Sequence, residues 1–308
     1  MSQPSSRFPL VISEEVATAL ADKRPVVALE TTIISHGLPF PVNREVADLC
    51  EAAVRASGSV PATIGIINGV IHVGLSSSDI DLMADPTSSV TKASTRDLGA
   101  VLARGLNGAT TVAGTITIAR HVGIDVMATG GLGGVHRGAS ESFDESHDLV
   151  ALSRTSVVVV ASGCKSILDV GATLERLDTL GVSIVGYQTD SFPGFYRHST
   201  EFALDWRSDS TAEIARIFNA HREISKTALV VANPVPHDRQ LDEALHDAAL
   251  AEGLRRVAAG NVTGKAVTPV LLSAFAEFTA GVSVTVNTDL VVNNSSVAGQ
   301  VAAELASR

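Results

Sequence analysis

The sequence predicts an α/β fold: a largely parallel or mixed central sheet flanked by helices, with a helical C-terminal region. Three observations lead there. Short β-branched runs such as Val157-Val158-Val159-Val160 are apolar throughout, as in strands covered on both faces. Between such runs lie segments with helical spacing, a β/α succession that favours parallel pairing. From residue 238 to the end the pattern is mainly helical.

Taken in order, residues 1–12 are Ser/Pro-rich and read as a flexible N-terminal segment, residues 13–23 have helical spacing, and residues 25–30 read as a buried strand ending in Glu30. Residues 41–57 form a helix with Val42, Val46, Leu49 and Ala53 on one face. Asn68-Gly69 between residues 62–67 and 70–73 marks a hairpin, because a type I′ turn needs positive φ at both central residues. Residues 79–84 and 96–106 are helical, with residues 91–94 an exposed segment between them. Thr111-Val112-Ala113 then reads as a short apolar segment, 115–121 as a helix, 125–128 as a strand and 148–154 as a helix. After the valine strand come a helix at 167–180, a strand at 183–186, a Pro193-Gly194 loop, a helix near 211–219 and a strand at 228–231. Three helices at 238–258, 269–280 and 289–306 follow. Neither a repeat nor a linker interrupts the pattern, so residues 1–308 read as a single domain.

Composition narrows the functions. At 308 residues and 45% hydrophobic content the chain can bury a large core. A net charge of −10 weighs against nucleic acid, which needs a cationic surface to displace counterions, whereas a few local lysines suffice for a small anion. Aromatics are only 4%, too few for a base-stacking platform. Cys50 and Cys164 fall in no Cys-x-x-Cys or Cys/His pattern, so neither a disulfide framework nor a zinc site is indicated and the reducing cytoplasm is expected. No apolar run approaches the roughly twenty residues of a membrane span, and no membrane partner is expected.

Chemistry concentrates at a few positions. Lys165 comes directly off the valine run, where α/β folds place function. A lysine there either snorkels to solvent or, if desolvated, loses its proton and attacks a carbonyl or anomeric carbon to form an imine. Lys92 could add a second cation or bind a phosphate, and otherwise is a loop lysine. Glu30, also at a strand end, is a proton donor or acceptor, or else a capping or salt-bridging carboxylate. Asp144, Ser146 and Asp148 offer oxygens at alternate positions, suited to a hard cation or sugar hydroxyls, although Asp and Ser also begin helices. His147 between them points away from a cation. The glycine-rich loop at 130–138 would let backbone amides approach an oxyanion, or is a tight structural turn; it matches neither a P-loop nor a dinucleotide fingerprint. Cys164 faces opposite to Lys165 in an extended segment and reads as a core thiol.

Several motifs together resemble the pseudouridine-5′-phosphate glycosidase family, which includes the indigoidine synthase A-like proteins. They are Leu29-Glu30-Thr31-Thr32-Ile33-Ile34-Ser35-His36-Gly37-Leu38-Pro39, Asn107-Gly108-Ala109-Thr110-Thr111-Val112-Ala113, Thr129 through Gly138, Phe143-Asp144, Lys165-Ser166-Ile167-Leu168-Asp169, Gly186-Tyr187-Gln188-Thr189 and Asn293-Asn294. They cover nearly the whole chain. The resemblance implies reversible cleavage of pseudouridine 5′-phosphate to uracil and ribose 5-phosphate, with Lys165 as nucleophile and Glu30 as proton donor. It implies substrate contacts at Lys92, Val112, Ser146, His147 and Asp148, a uracil-binding amide at Asn287, phosphate or base contacts at Thr129 and His136, Mn²⁺ on Asp144, and a homotrimer. The chain has no room for the sugar kinase fused to some relatives. Two other readings stay open: a Schiff-base aldolase on a β/α barrel, which the hairpin and helical C-terminal region fit poorly, and a non-catalytic sugar-phosphate sensor, which would need neither a proton donor nor an imine-forming amine.

Overall fold

The computed structural model describes residues 8–262, 264 and 267–307. Strands and helices alternate from the start: β1 (Leu10–Ile12), α1 (Glu14–Ala21), β2 (Val26–Leu29), a π-helical turn (Ile33–Gly37), α2 (Val42–Ala56), β3 (Val60–Ile67) and β4 (Val70–Val73). Next come α3 (Ser77–Ala84), β5 (Val90–Ala93), α4 (Thr95–Ala103), β6 (Asn107–Thr110), α5 (Val112–Val122), β7 (Val126–Ala128), β8 (Val135–His136), α6 (Ala139–Ser142) and α7 (His147–Leu152). The chain continues through β9 (Val158–Ala161), β10 (Leu168–Asp169), α8 (Val170–Thr179), β11 (Ser183–Tyr187), β12 (Arg207–Ser208), α9 (Thr211–Ile224) and β13 (Leu229–Ala232). It ends in α10 (Glu243–Ala259), α11 (Val267–Phe278) and α12 (Val282–Ala306).

Among the described residues eleven strands form one open sheet in the order β1-β4-β3-β2-β7-β9-β13-β11-β12, with β6 beside β3 and β5 beside β6. The run from β3 to β12 is parallel; β3 pairs antiparallel with β4 and β6. The fold is therefore the mixed α/β architecture expected from the sequence. An open sheet is not a β/α barrel, so that alternative scaffold does not apply. Val26–Leu29, Val126–Ala128 and Val158–Ala161 are buried along their whole length. Helix α12 lies across β2, β7 and β9 and packs on α2 and α9, while α5 packs on β2, β3, β6 and β7. Such all-apolar strands need helices on both faces.

The hairpin forms as expected, with Asn68 at φ 49° and Gly69 at φ 75°. A Cβ on Gly69 would also lie 2.7 Å from the Leu102 carbonyl. Three local expectations are corrected. Residues 1–7 of the N-terminal segment lie outside the described residues, but Leu10–Ile12 is an ordered strand that pairs with β4. Residues 91–94 are not an exposed segment: Val90–Ala93 pairs with β6 and buries Ala93 completely, because the sheet extends beyond the hairpin. The short apolar segment Thr111-Val112-Ala113 is not separate from the helix expected at 115–121 but opens it, since the Thr111 hydroxyl caps α5 by accepting from the Gly114 amide. Among the described residues no single helix is long and apolar enough to cross a membrane; α11 and α12 are so only as a pair, bent by 119°.

Candidate active site

Three neighbouring strands deliver the central residues. Glu30 follows β2, Thr129 follows β7 and Lys165 lies beyond β9, and because these strands are adjacent and parallel their carboxyl ends share one edge. Lys165 is not on the strand end itself. The strand stops at Ala161, and the next residues run beside the glycine loop, with the Leu132 amide donating to Gly163 O (2.9 Å) and the Lys165 amide donating to Leu132 O (3.1 Å). Gly163 permits this turn: its φ is 77°, and a Cβ there would meet the Pro193 carbonyl at 2.0 Å. Cys164 is fully buried, as expected of a core thiol.

The sheet also brings β6 towards this edge from the opposite direction. β2 pairs with the first half of β3 and stops at Leu29, level with Thr63; β6 runs antiparallel along the second half of β3. Threonines staple the two carboxyl ends together. The Thr110 amide donates to Thr31 Oγ1 (2.9 Å), the Thr32 hydroxyl to Thr110 O (2.8 Å), and both the Thr31 and Thr110 hydroxyls to Ile64 O. Glu30, the first turn of α5 with Val112, and Lys92 from the adjoining β5 therefore face a common space.

That space is a polar basin of about 250 Å³ lined by Glu30, Lys92, Val112, Asp144, Lys165 and the 146–148 segment, with His136 at its wall. An inner compartment adjoins it, sharing Glu30, Lys92 and Lys165 and reaching Thr129, Gly130, Phe195 and Asn287. All the candidate residues from the sequence line one compartment or the other.

Glu30 is only 8% exposed. Burial pushes its carboxyl above the ordinary value; the Lys165 charge and a hydrogen bond from the Thr129 hydroxyl to Oε1 oppose this, the Asp148 charge adds to it, and the Lys92 charge opposes it. The result is a carboxylic acid that keeps its proton to higher pH than a solvated one, beside an amine. Thr129, expected to contact phosphate or base, lines the inner compartment and donates its hydroxyl to Glu30. Its backbone is fixed by Asn294 of α12, whose amide donates to Thr129 O (2.8 Å) and accepts from Asn233 (2.8 Å). Asn294 thus ties the ends of β7 and β13 to the longest helix, a role hidden in the sequence because its partners are distant in the chain.

The glycine loop and α7 form the other wall. Asp148 is buried, and its two oxygens accept from the Ala113 and Gly133 amides, both at 2.9 Å. The carboxylate therefore braces the α5 N-terminus against the loop. Its neighbours are equally constrained: Ser146 caps α7 by accepting from the Asp148 amide (3.2 Å), and a Cβ on Gly133 would lie 2.2 Å from Ser146 Oγ. Here the oxyanion reading of the loop is corrected in part. The Leu132, Gly133, Val135 and His136 amides donate to protein acceptors, because close packing brings those acceptors in. His147 opens α7 and faces the basin. Burial holds the His136 imidazole below its ordinary value, opposed by Asp144, whose Oδ2 lies 3.9 Å from Nδ1.

Asn287 is 3% exposed, and its Oδ1 is buried without a hydrogen-bond partner among the described residues. His36 Nε2 is in the same condition in the same compartment. His36 lies within a sequence motif that by itself assigns it no role, and Arg96 and Thr268, which line the basin, carry no sequence signal. Among the described residues no group of three His, Cys, Asp or Glu side chains stands close enough to cage a metal. Asp144 by itself offers one hard oxygen donor at the wall of a wide polar basin, which fits a largely hydrated divalent ion and not a chelated one.

A family model described as indigoidine synthase A like protein matches residues 15–304. The chain is 52% identical over 296 residues to a pseudouridine-5′-phosphate glycosidase of Salinispora tropica, covering 96% of this chain and 91% of the relative. It is 49% identical over 296 residues to the protein of that name from Escherichia coli K12, covering 96% and 95%. Among solved structures, a prealnumycin C-glycosynthase in complex with ribulose 5-phosphate superposes with a TM-score of 0.90 at 40% identity, covering 99% of this chain and 98% of that one. An indigoidine synthase A-like protein from Thermotoga maritima gives 0.88 at 34% identity and covers 99% of each. With the match running almost from end to end, the chain belongs to the indigoidine synthase A-like family.

Proposed function

We propose that the protein cleaves pseudouridine 5′-phosphate reversibly into uracil and ribose 5-phosphate. The observation that carries this reading is the buried Glu30, its carboxyl raised by burial, lining one space with Lys165, in a chain so similar to glycosidases of that name. The scissile bond joins carbon to carbon. Ordinary glycosidases protonate an oxygen leaving group at a lone pair, and uracil C5 has none.

An amine answers this differently. Lys165 Nζ, in its neutral form, bonds to C1′ as the C1′–O4′ bond breaks, and the proton shed by the amine ends on O4′ as the ribose opens. Glu30 then protonates C5. The nitrogen lone pair forms C1′=Nζ while the C1′–C5 electrons return to the uracil ring, and water hydrolyses the imine to ribose 5-phosphate. The two hydrogens of that water pass to Nζ, and one of them restores the Glu30 proton. Lys92, Val112, Ser146, His147 and Asp148 bind the sugar phosphate in the basin, with His136 and Thr129 as further contacts; Asp148 also holds the α5 N-terminus in place, and Asn287 binds the base in the inner compartment. Asp144 would hold Mn²⁺ in a mainly aqueous shell, where the ion would offset phosphate charge. The same reading carries a homotrimer working in the cytoplasm, with no nucleic acid or membrane partner.

The test is release of uracil from pseudouridine 5′-phosphate with Mn²⁺ and again after chelation. Release that falls on chelation and returns with Mn²⁺ is expected; no release under either condition would remove the assignment. Borohydride with ribose 5-phosphate should attach the sugar to Lys165. Release without trapping would retain the activity but reject the imine, and binding without release would favour the sensor.

A further inference from the structure

His36 holds a polar atom that neither the fold nor the proposed mechanism uses. It sits in the π-helical turn Ile33–Gly37, lines the inner compartment, and has Nε2 buried without a hydrogen-bond partner among the described residues. Buried lone pairs are costly to leave unpaired, so such an atom marks a place where a ligand completes the bonding. The Val90 backbone favours the protonated ring, as a carbonyl does, and an unpartnered Nε2 accepts when the neutral ring keeps its hydrogen on Nδ1. Burial and then the Lys92 charge hold the imidazole below its ordinary value, so a neutral ring presents its lone pair at Nε2. Asn287 in the same compartment offers an amide, which both accepts and donates.

These groups match a feature that separates C-linked from N-linked uracil. In an N1-linked nucleotide the sugar replaces the N1 hydrogen, whereas linkage through C5 leaves both N1–H and N3–H as donors. We infer that His36 Nε2 accepts the N1–H of the uracil ring and is the residue that reads the C5 linkage. The inference rests on the glycosidase reading and deepens it. Asn287 then meets N3–H and an adjoining carbonyl.

The contact also assists the chemistry. As C1′–O4′ breaks, its electron pair leaves with O4′; the N1 lone pair becomes N1=C6, and the C6=C5 pair becomes C5=C1′, so positive charge develops on N1–H. Addition of Lys165 to C1′ returns both pairs, and no oxidation or reduction occurs. An acceptor on N1–H stabilises charge that is greater during ring opening than before it. His36 acts there by hydrogen bonding while the proton stays on N1.

The test uses pseudouridine 5′-phosphate and its N1-methyl derivative, with wild type, His36→Leu and His36→Gln, and with borohydride trapping of ribose 5-phosphate on Lys165 alongside. Trapping involves no base, so equal trapping reports an intact fold and sugar site. Wild type should lose at least ~100-fold in kcat/KM on the N1-methyl nucleotide, because a site built around a hydrogen bond rejects the analogue lacking it. His36→Leu should lose a similar factor on the parent nucleotide, partly in kcat, with trapping unchanged, and should no longer discriminate against the methyl group. His36→Gln, whose amide oxygen also accepts, should recover part of the loss. Unchanged turnover of the parent by His36→Leu overturns the inference. So does a wild type that accepts the N1-methyl nucleotide within about threefold of the parent, a result that needs no variant to fold. A wild type that releases no uracil from the parent fails the glycosidase reading itself.

Discussion

Two walls of one basin each bury a carboxylate and treat it differently. On the strand-end wall, Glu30 receives one side-chain hydrogen bond, from Thr129, and burial drives its proton affinity upward. On the loop-and-helix wall, Asp148 receives two backbone amides, from Ala113 and Gly133. Two backbone donors hold Asp148 in place as a brace, whereas Glu30 has one hydroxyl donor and a proton affinity raised by burial. The two are linked, since the Asp148 charge raises Glu30 further. A structural anion thus tunes the acid across the basin.

Four substitutions probe that contrast. Lys165→Ala should have the largest effect, roughly 10⁶-fold in kcat, as for other nucleophiles acting as part of a unit, with loss of borohydride trapping as the check. Glu30→Gln should lower kcat about 10²- to 10⁴-fold with little change in nucleotide affinity, and the fall of wild-type kcat with rising pH should disappear. Stability supplies an independent sign. Because burial raises Glu30 in the folded state, the unfolded chain sheds this proton first, and the wild type loses stability as pH rises from about 4.5 through the raised value. The melting temperature of Glu30→Gln should therefore gain on the wild type as pH rises; a gap that shrinks would place the buried charge elsewhere.

Asp148→Asn should destabilise the protein by about 1–3 kcal/mol, since an amide cannot accept from both backbone donors at once, read by denaturant unfolding. It also removes a charge that raises Glu30, so the alkaline limb of kcat should move to lower pH. Thr129→Val is the smallest change and acts in the opposite direction. It deletes a hydrogen bond that lowers Glu30, so the same limb should move to higher pH. Limbs shifting together would deny that the two walls act on Glu30 in opposite senses.

Much of this site was legible in the chain. Glu30 and Lys165 stand after apolar runs whose burial follows from β-branched composition, and the strand-end rule places both at one edge. The hairpin at Asn68-Gly69 was readable because turn chemistry is local. Other parts were not. Lys92 stays open in the sequence between a phosphate-binding cation and a loop lysine, because nothing in Val90–Ala93 announces pairing with β6, which depends on where β2 stops along β3. Asp148 offers a cation or sugar ligand through its sequence neighbours, but its bracing role is hidden because its two backbone donors lie 15 and 35 residues away. His36 lay within a quoted motif, but only its unpartnered nitrogen in the inner compartment gives it a task.

The sequence by itself determined the α/β architecture, the amine and the acid, because period, burial tendency and turn chemistry are properties of short segments. Tertiary structure decided which groups meet and in what protonation state. The head-on approach of β2 and β6 brings Lys92 and Val112 to Glu30, and α12 supplies Asn287 and Asn294 from more than 100 residues away. Proton affinity is likewise set by what surrounds a group in space, through desolvation and converging charges, and no local pattern encodes that sum.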